Sequence, residues 1–186
     1  MRRFVHIPKT AGRSMIKFLR ENKLPVNSPR TRANGILTKK HKTAYQYYCD
    51  YPNEERFCIV RNPYARIVSF YNYSMRMGWI EEDFPWIQFV MDRPYIAPLR
   101  DNQPWRLQMD YIMHNGNFYV HKKFKLETDL EALQFWLHTP KPFPKVNTSK
   151  QNGLSLRSYY GNSMIIERVR KDFKRDFKHL HYSRVI

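Results

Sequence analysis

The sequence predicts a single α/β domain over residues 1–186, built on a central, mostly parallel sheet flanked by helices. Three observations predict it. Short strand-like segments at residues 2–7 and 56–60, apolar over 4–7 and 57–60, alternate with longer segments of helical period. A chain of 186 residues suffices for one substantial core, burying about 70% of the surface its unfolded form exposes. Both runs pass straight into polar turns that open helices, and in open parallel sheets ligands bind at that end of the strands.

Taken in order, residues 2–7 form the first strand and residues 13–22 the first helix, stopped by Asn22, Lys23 and Pro25. Pro25, Asn27, Ser28, Pro29 and Asn34-Gly35 mark residues 25–34 as loop. Ile36-Leu37-Thr38 reads as a short strand leading into Lys39-Lys40-His41-Lys42, and a helix follows over residues 43–48. Residues 56–60 read as a buried strand. Asn62 then supplies an N-cap and Pro63 the first position of a long helix reaching Met77, with Asn62, Arg66, Ser69 and Tyr73 on one side. Shorter helices are expected at residues 85–91 and 105–114, separated by a mobile loop over 93–104. Residues 118–121 read as a strand. Thr128 to Glu131 reads as a capping box opening a helix that turns Leu130, Leu133 and Leu137 inward. A last helix over 164–177 is expected to bury Ile166, Val169, Phe173 and Phe177.

Lysine and arginine number 33 against 16 acidic residues, a net charge of +17, so the field favours anionic partners without choosing among them. Aromatic residues make up 16% of the chain and glycines number 6, which excludes a disordered basic tail and a glycine-rich RNA-binding segment. No apolar run of about 18 residues occurs and the first apolar stretch is too short for a signal-peptide core, so a soluble, cytoplasmic protein without a membrane span is expected. Cys49 and Cys58 have neither disulfide-scaffold nor zinc spacing and are expected in the core. The histidines show no metal-binding spacing, and no catalytic metal is expected.

The chemistry concentrates after the first strand. Gly12 and Ser14, ahead of Met15-Ile-Lys-Phe-Leu19, make the start of the first helix an anion cradle through backbone N–H groups and the positive end of the macrodipole. Lys9 adds a point charge. This is not a Walker A loop, where lysine follows the second glycine; here it precedes the only one. Taken alone, the stretch reads equally well as an ordinary strand-to-helix connection with a solvated lysine. A second motif, Phe57-Cys-Ile-Val-Arg-Asn-Pro-Tyr-Ala-Arg-Ile-Val-Ser-Phe-Tyr71, shifts that balance. It places Arg61 at a strand end and Ser69 inside the next helix, a planar fork and a neutral donor suited to a second phosphate. Two anion sites point to a ligand phosphorylated at two places.

These residues together resemble the sulfotransferases that use 3′-phosphoadenosine 5′-phosphosulfate, in the carbohydrate branch that contains the heparan sulfate 2-O- and 6-O-sulfotransferases. His6-Ile-Pro-Lys-Thr-Ala-Gly12 is similar to that family's 5′-phosphosulfate loop, and Arg61-Asn-Pro-Tyr-Ala-Arg-Ile-Val-Ser69-Phe-Tyr71 to its 3′-phosphate motif. Weaker resemblance extends through Gln108-Met-Asp-Tyr-Ile112, Leu126-Glu127, Lys145-Val-Asn-Thr-Ser149, Tyr159-Tyr160 and the region from Asp172 to Tyr182, and so spans most of the chain. The resemblance implies a P-loop-like sulfotransferase fold. It assigns Lys9 to the bridging oxygen and sulfate, Thr10, Gly12 and Ser14 to the 5′-phosphate, and Arg61 and Ser69 to the 3′-phosphate. Pro8, Ala11 and Arg13 belong to the same donor loop, and Lys145, Ser149 and Lys150 to a turn that closes over the nucleotide. Arg13 departs from the small hydroxyl residue common in relatives and either adds charge to the site or points to solvent. The chain looks like a minimal soluble version of its membrane-anchored relatives.

The implied reaction transfers a sulfuryl group to a hydroxyl acceptor, a carbohydrate by resemblance and an acidic glycan by net charge. Lys9 stabilises charge on the leaving oxygen, and His41 is the expected base, because relatives of this branch carry their catalytic histidine between the two phosphate motifs. His41 also reads as a solvated member of its basic run, and His6 as a packing residue. Tyr159 or Tyr160 either stacks on adenine or belongs to the core, and Trp79, Trp86, Trp105 and Trp136 either pack or wall the acceptor site. Two rivals stand beside this reading. A P-loop nucleotide kinase would need the Gly-Lys-[Ser/Thr] and magnesium-binding aspartate that are missing, and a basic nucleic-acid-binding module would use the charge and interleaved aromatics.

Overall fold

The computed structural model describes residues 1–24, 32–33, 36–37, 41–92, 105–144 and 155–186, the two short pairs by backbone alone. The chain divides into two compact units, each assembled from two stretches: Met1–Val60 with Gln108–Asn147, and Arg61–Leu107 with Thr148–Ile186. The predicted α/β class holds at that level, with a small parallel sheet and helices.

The first unit is built on three parallel strands in the order β1 (Arg2–Val5), β4 (Glu55–Val60), β7 (Lys122–Lys125). Phe4 pairs with Phe57, and Ile59 with Phe124. Side chains alternate across a strand, so Phe4, Phe57, Ile59 and Phe124 share one face. Against them pack Met15, Phe18 and Leu19 of α1 (Gly12–Glu21) and Leu133 and Leu137 of α6 (Leu130–Leu137). Each such large side chain contributes roughly 1.5–3 kcal/mol on burial, which makes this layer the stabilising centre of the unit. On the alternate positions, Arg3 stacks 3.6 Å from the Tyr51 ring just past α2 (Ala44–Asp50). That helix starts with a full capping box, Thr43 and Gln46 each closing on the other's backbone.

Most expected elements of this unit are found, and several are corrected. The expected strand at 36–38 appears as β3 (Ile36–Leu37), but part of the expected loop pairs with it antiparallel as β2 (Arg32–Ala33). The expected helix over 105–114 shrinks to α5 (Met109–Ile112), because the chain then enters a hairpin, β5 (Met113–His114) with β6 (Asn117–Phe118). Asn115 and Gly116 take φ of 47° and 81° at its tip, the backbone that a two-residue hairpin turn requires. The strand expected at 118–121 is therefore replaced by β6 and β7. The capping box expected at Thr128 is absent. Asp129 holds the N-cap instead, and its carboxylate accepts the Lys125 N–H at 2.8 Å and the Thr128 hydroxyl at 2.7 Å.

The cysteines divide. Cys58 lies in the sheet, where burial pushes its thiol up to about 12, whereas Cys49 is exposed and its expected core position is corrected. Thiolate is the reactive form, so one equivalent of a thiol reagent is expected to react quickly with the native protein, at Cys49. The second should react only on unfolding, as counted by absorbance or mass; fast modification of both would contradict the burial of Cys58.

Among the described residues the second unit is helical: α3 (Pro63–Arg76), α4 (Trp86–Asp92), α7 (Leu156–Tyr159), α8 (Ser163–Asp172) and α9 (Lys174–His179). Its core joins Tyr64, Ile67, Phe70 and Tyr71 of α3 to Phe89, Trp105, Tyr160, Val169, Phe173 and Phe177. The single last helix expected over 164–177 breaks at Phe173, and Ile165 is buried where Ile166 was expected, Ile166 being only partly buried. The spacing of Val169, Phe173 and Phe177 survives the break and turns all three inward. The loop expected to be mobile, 93–104, lies outside the described residues.

Candidate functional site

In the first unit the chain leaves β1 at Val5 and reaches α1 through six residues. Ile7, Pro8 and Thr10 are buried, and the Thr10 hydroxyl donates to the Ile7 carbonyl at 3.0 Å, closing the turn from inside. On either side of Thr10, Lys9 and Ala11 take φ of 68° and 63°. Neither is glycine, and a left-handed conformation costs such residues roughly 1–2 kcal/mol each. Strain of this kind persists where surrounding structure holds it and clusters at functional sites. Alternating backbone handedness also turns successive N–H groups toward one side, the concavity that receives anions in phosphate loops.

Helix α1 extends that concavity. Ala11 occupies its N-cap and makes no side-chain cap bond, and the first helical bond runs from Met15 N–H to the Ala11 carbonyl at 2.9 Å. The N–H groups of Gly12, Arg13 and Ser14 thus lie at the positive end of the helix, before its own carbonyl ladder begins. Ser14 is buried there, while Arg13 is exposed, the second of its two expected placements. Lys9 is half-buried.

Beside the loop stand two histidines. His41 Nδ1 lies 3.1 Å from the His6 carbonyl oxygen, and the two rings meet edge to face with centroids 4.5 Å apart. His41 is two residues ahead of the Thr43 cap of α2, so the capping box fixes the chain just beyond it. Other histidines have structural partners: His121 Nδ1 accepts the Arg56 N–H at 2.9 Å, and His114 stacks on Tyr45 at 3.9 Å.

The second unit carries Arg61 and Ser69. The Asn62 side chain accepts the Tyr64 N–H at 2.9 Å, Pro63 occupies the first turn, and α3 starts as expected from this pair. Arg61 precedes that cap, and Ser69 lies within α3; both are half-buried. Arg66, on the expected side with Ser69, is fully buried and donates to the Arg106 carbonyl at 2.9 Å, which ties α3 to the chain around Trp105. Tyr159 and Tyr160 are core residues: the Tyr160 hydroxyl donates to the Tyr64 carbonyl at 2.9 Å and the Tyr159 hydroxyl to Asn72 at 3.3 Å. Trp79, Trp86 and Trp105 pack in the same core, and Trp136 packs in the first unit with Arg2 4.4 Å from its ring. Lys145, Ser149 and Lys150 lie outside the described residues.

Sequence reasoning missed the coupling of His6 to Gly12. A Cβ built on Gly12 would fall 1.8 Å from His6 Nε2, so the imidazole lies directly over the first residue of α1. The signal was present as a histidine six residues before a glycine at a helix start, but only the fold brings them together.

No protein-family model matches this chain, and no curated protein and no solved structure matches it. Among the described residues no group of three or more His, Cys, Asp or Glu gathers as metal ligands, and no helix is long and apolar enough to cross a membrane.

Proposed function

We propose that this chain is a sulfotransferase of the carbohydrate branch, which moves the sulfuryl group of 3′-phosphoadenosine 5′-phosphosulfate to a hydroxyl acceptor on a P-loop-like sulfotransferase fold. The observation that carries the reading is the loop between β1 and α1. It spends strain on two left-handed residues, puts a lysine between a buried turn and a helix N-terminus, and so supports the binding of a doubly charged group. Arg61 and Ser69, each half-buried in the second unit, support a grip on the 3′-phosphate.

The acceptor oxygen attacks sulfur in line, and the bond from sulfur to the 5′-phosphate oxygen breaks. That oxygen keeps the electron pair and leaves as 3′-phosphoadenosine 5′-phosphate, while the acceptor proton passes to His41. The Lys9 ammonium meets charge that grows on the bridging oxygen only as the bond breaks, which raises turnover rather than merely tightening binding. With a net charge of +17, an acidic glycan is the acceptor class we propose, and turnover should then fall with ionic strength.

Calorimetry with 3′-phosphoadenosine 5′-phosphate tests the donor site. One-to-one binding is expected. Arg61→Ala should weaken it about 10–100-fold, since a charge-assisted bond is worth roughly 1.5–3 kcal/mol, and Ser69→Ala about 2–10-fold. Unchanged affinity in both variants removes the 3′-phosphate assignment. Failure to bind the nucleotide, with RNA bound instead and a steep loss of affinity in salt, makes the chain a nucleic-acid-binding module.

A further inference from the structure

We infer that His6 is the positioning residue of this site: it holds His41 in the tautomer whose basic lone pair is on Nε2, and Gly12 is glycine because the His6 ring occupies the room of a side chain there. The inference rests on the proposed role of His41 as base. A carbonyl oxygen only accepts, so a neutral His41 bonded to the His6 carbonyl through Nδ1 carries its hydrogen on that nitrogen. The lone pair that takes up a proton is then on Nε2, at the opposite side of the ring.

To that hydrogen bond the His6 imidazole adds a second restraint. The two planes stand at 76° with centroids 4.5 Å apart, an edge-to-face seat that sets the plane of His41. His6 is itself held on two sides. Its ring stacks on Phe4 at 5.9 Å and 19°, and it rests on the Cα of Gly12, where a Cβ would come within 2.1 Å of Cδ2 as well as 1.8 Å of Nε2. A real Cβ does not approach a ring so closely, so the seat exists only with glycine at this position. The direction of the base is thereby referred to α1, the helix whose N-terminus faces the proposed phosphosulfate, through a chain of two rings. Gly12 serves the base as well as the anion.

The tautomer can be read directly. Full-length protein with ¹⁵N-labelled histidine is examined by long-range ¹H–¹⁵N correlation near pH 8, with His41 assigned through His41→Gln. The wild type is expected to show the His41 hydrogen on Nδ1. His6→Ala should move it to Nε2 in most molecules, because the edge-to-face seat that sets the ring plane is lost, whereas His6→Phe, which keeps an aromatic edge, should retain it. A wild-type hydrogen on Nε2, or a tautomer unchanged in His6→Ala, overturns the inference. The measurement needs neither donor nor acceptor, so it decides the positioning whether or not sulfuryl transfer is found.

The Gly12 part has its own readout. Gly12→Ala should lower the unfolding midpoint by several degrees or prevent folding. In a His6→Ala background the same substitution should be neutral or stabilising, since the ring has vacated the space and alanine favours a helix over glycine. Additive effects, or a double variant no better folded than Gly12→Ala, overturn it.

Discussion

Replacing Lys9 with glycine is expected to lower turnover about 10²–10³-fold, the usual loss when one donor to developing transition-state charge is removed, while leaving the protein as stable as before or more so. The two effects have different origins. Turnover falls because Lys9 carries the cation that the proposed mechanism assigns to the leaving oxygen, Arg13 of the same loop being exposed. Stability does not fall because Lys9 sits at φ 68°, where glycine has no Cβ to clash. The relief of roughly 1–2 kcal/mol is set against the roughly 0.5–1 kcal/mol that glycine's freedom costs in the unfolded chain, for a net gain of up to about 1.5 kcal/mol. Lys9→Ala separates the terms: it should lose the same activity and gain no stability. Steady-state rates at saturating donor, with thermal melts of the three proteins, check both parts. Turnover within about tenfold of wild type in Lys9→Gly would remove lysine from the chemistry, and a marked fall in its melting temperature would remove the strain.

This loop also shows what a sequence can and cannot disclose. Elements whose causes are local were legible. The Asn62-Pro63 pair sets the start of α3 through one side-chain bond and one fixed φ, and the apolar run at 57–60 lies in the middle of a parallel sheet, covered on both faces. β7 was not legible, because Lys122, Lys123 and Lys125 flank a single buried residue, Phe124. It is an edge strand in the sheet, and lysines on an edge discourage pairing with other chains, so the feature that protects the strand also disguises it. The hairpin at 113–118 had a readable signal in Asn115-Gly116, overridden by the helical period of the residues before it.

At the site, residue types were legible and conformations were not. Lysine, glycine and serine at residues 9–14 are the residue types on which the proposed anion loop rests, yet left-handed Lys9 and Ala11 leave no trace in composition. His6 and His41 are 35 positions apart, and their hydrogen bond depends on where the chain returns. The same holds for the positive charge. Arg3, Arg56 and Arg66 were counted toward a surface field, but all three are buried. Their charge still counts in the net field, but their guanidinium groups are committed to contacts in the interior.

Arg56 carries the second large effect: Arg56→Ala is expected to destabilise the first unit by about 3–5 kcal/mol, near the upper end for single substitutions. Its Nε donates to the Tyr119 carbonyl at 2.7 Å, and Nη1 reaches the Glu54 carbonyl at 2.7 Å and the Tyr51 carbonyl at 3.1 Å. One guanidinium thus joins the turn before β4 to the chain that leaves the hairpin, 63 positions away. Truncation leaves those carbonyls facing an apolar methyl, at a cost of about 1–3 kcal/mol for each that water cannot reach. The Tyr48 ring also loses the cation 5.3 Å from its centroid. Arg56→Lys should recover less than half, because an ammonium restores the charge but cannot reproduce a planar fork that serves acceptors on two sides. Urea unfolding with a constant slope would measure the loss, with exposed Arg20→Ala as a control expected within about 0.5 kcal/mol of wild type. Were Arg56→Ala to cost under about 1 kcal/mol, the carbonyls it serves would have to be solvated, and Arg56 would not be the tie that seats the central strand; a full rescue by lysine would show that charge alone, without the fork, holds β4 in place.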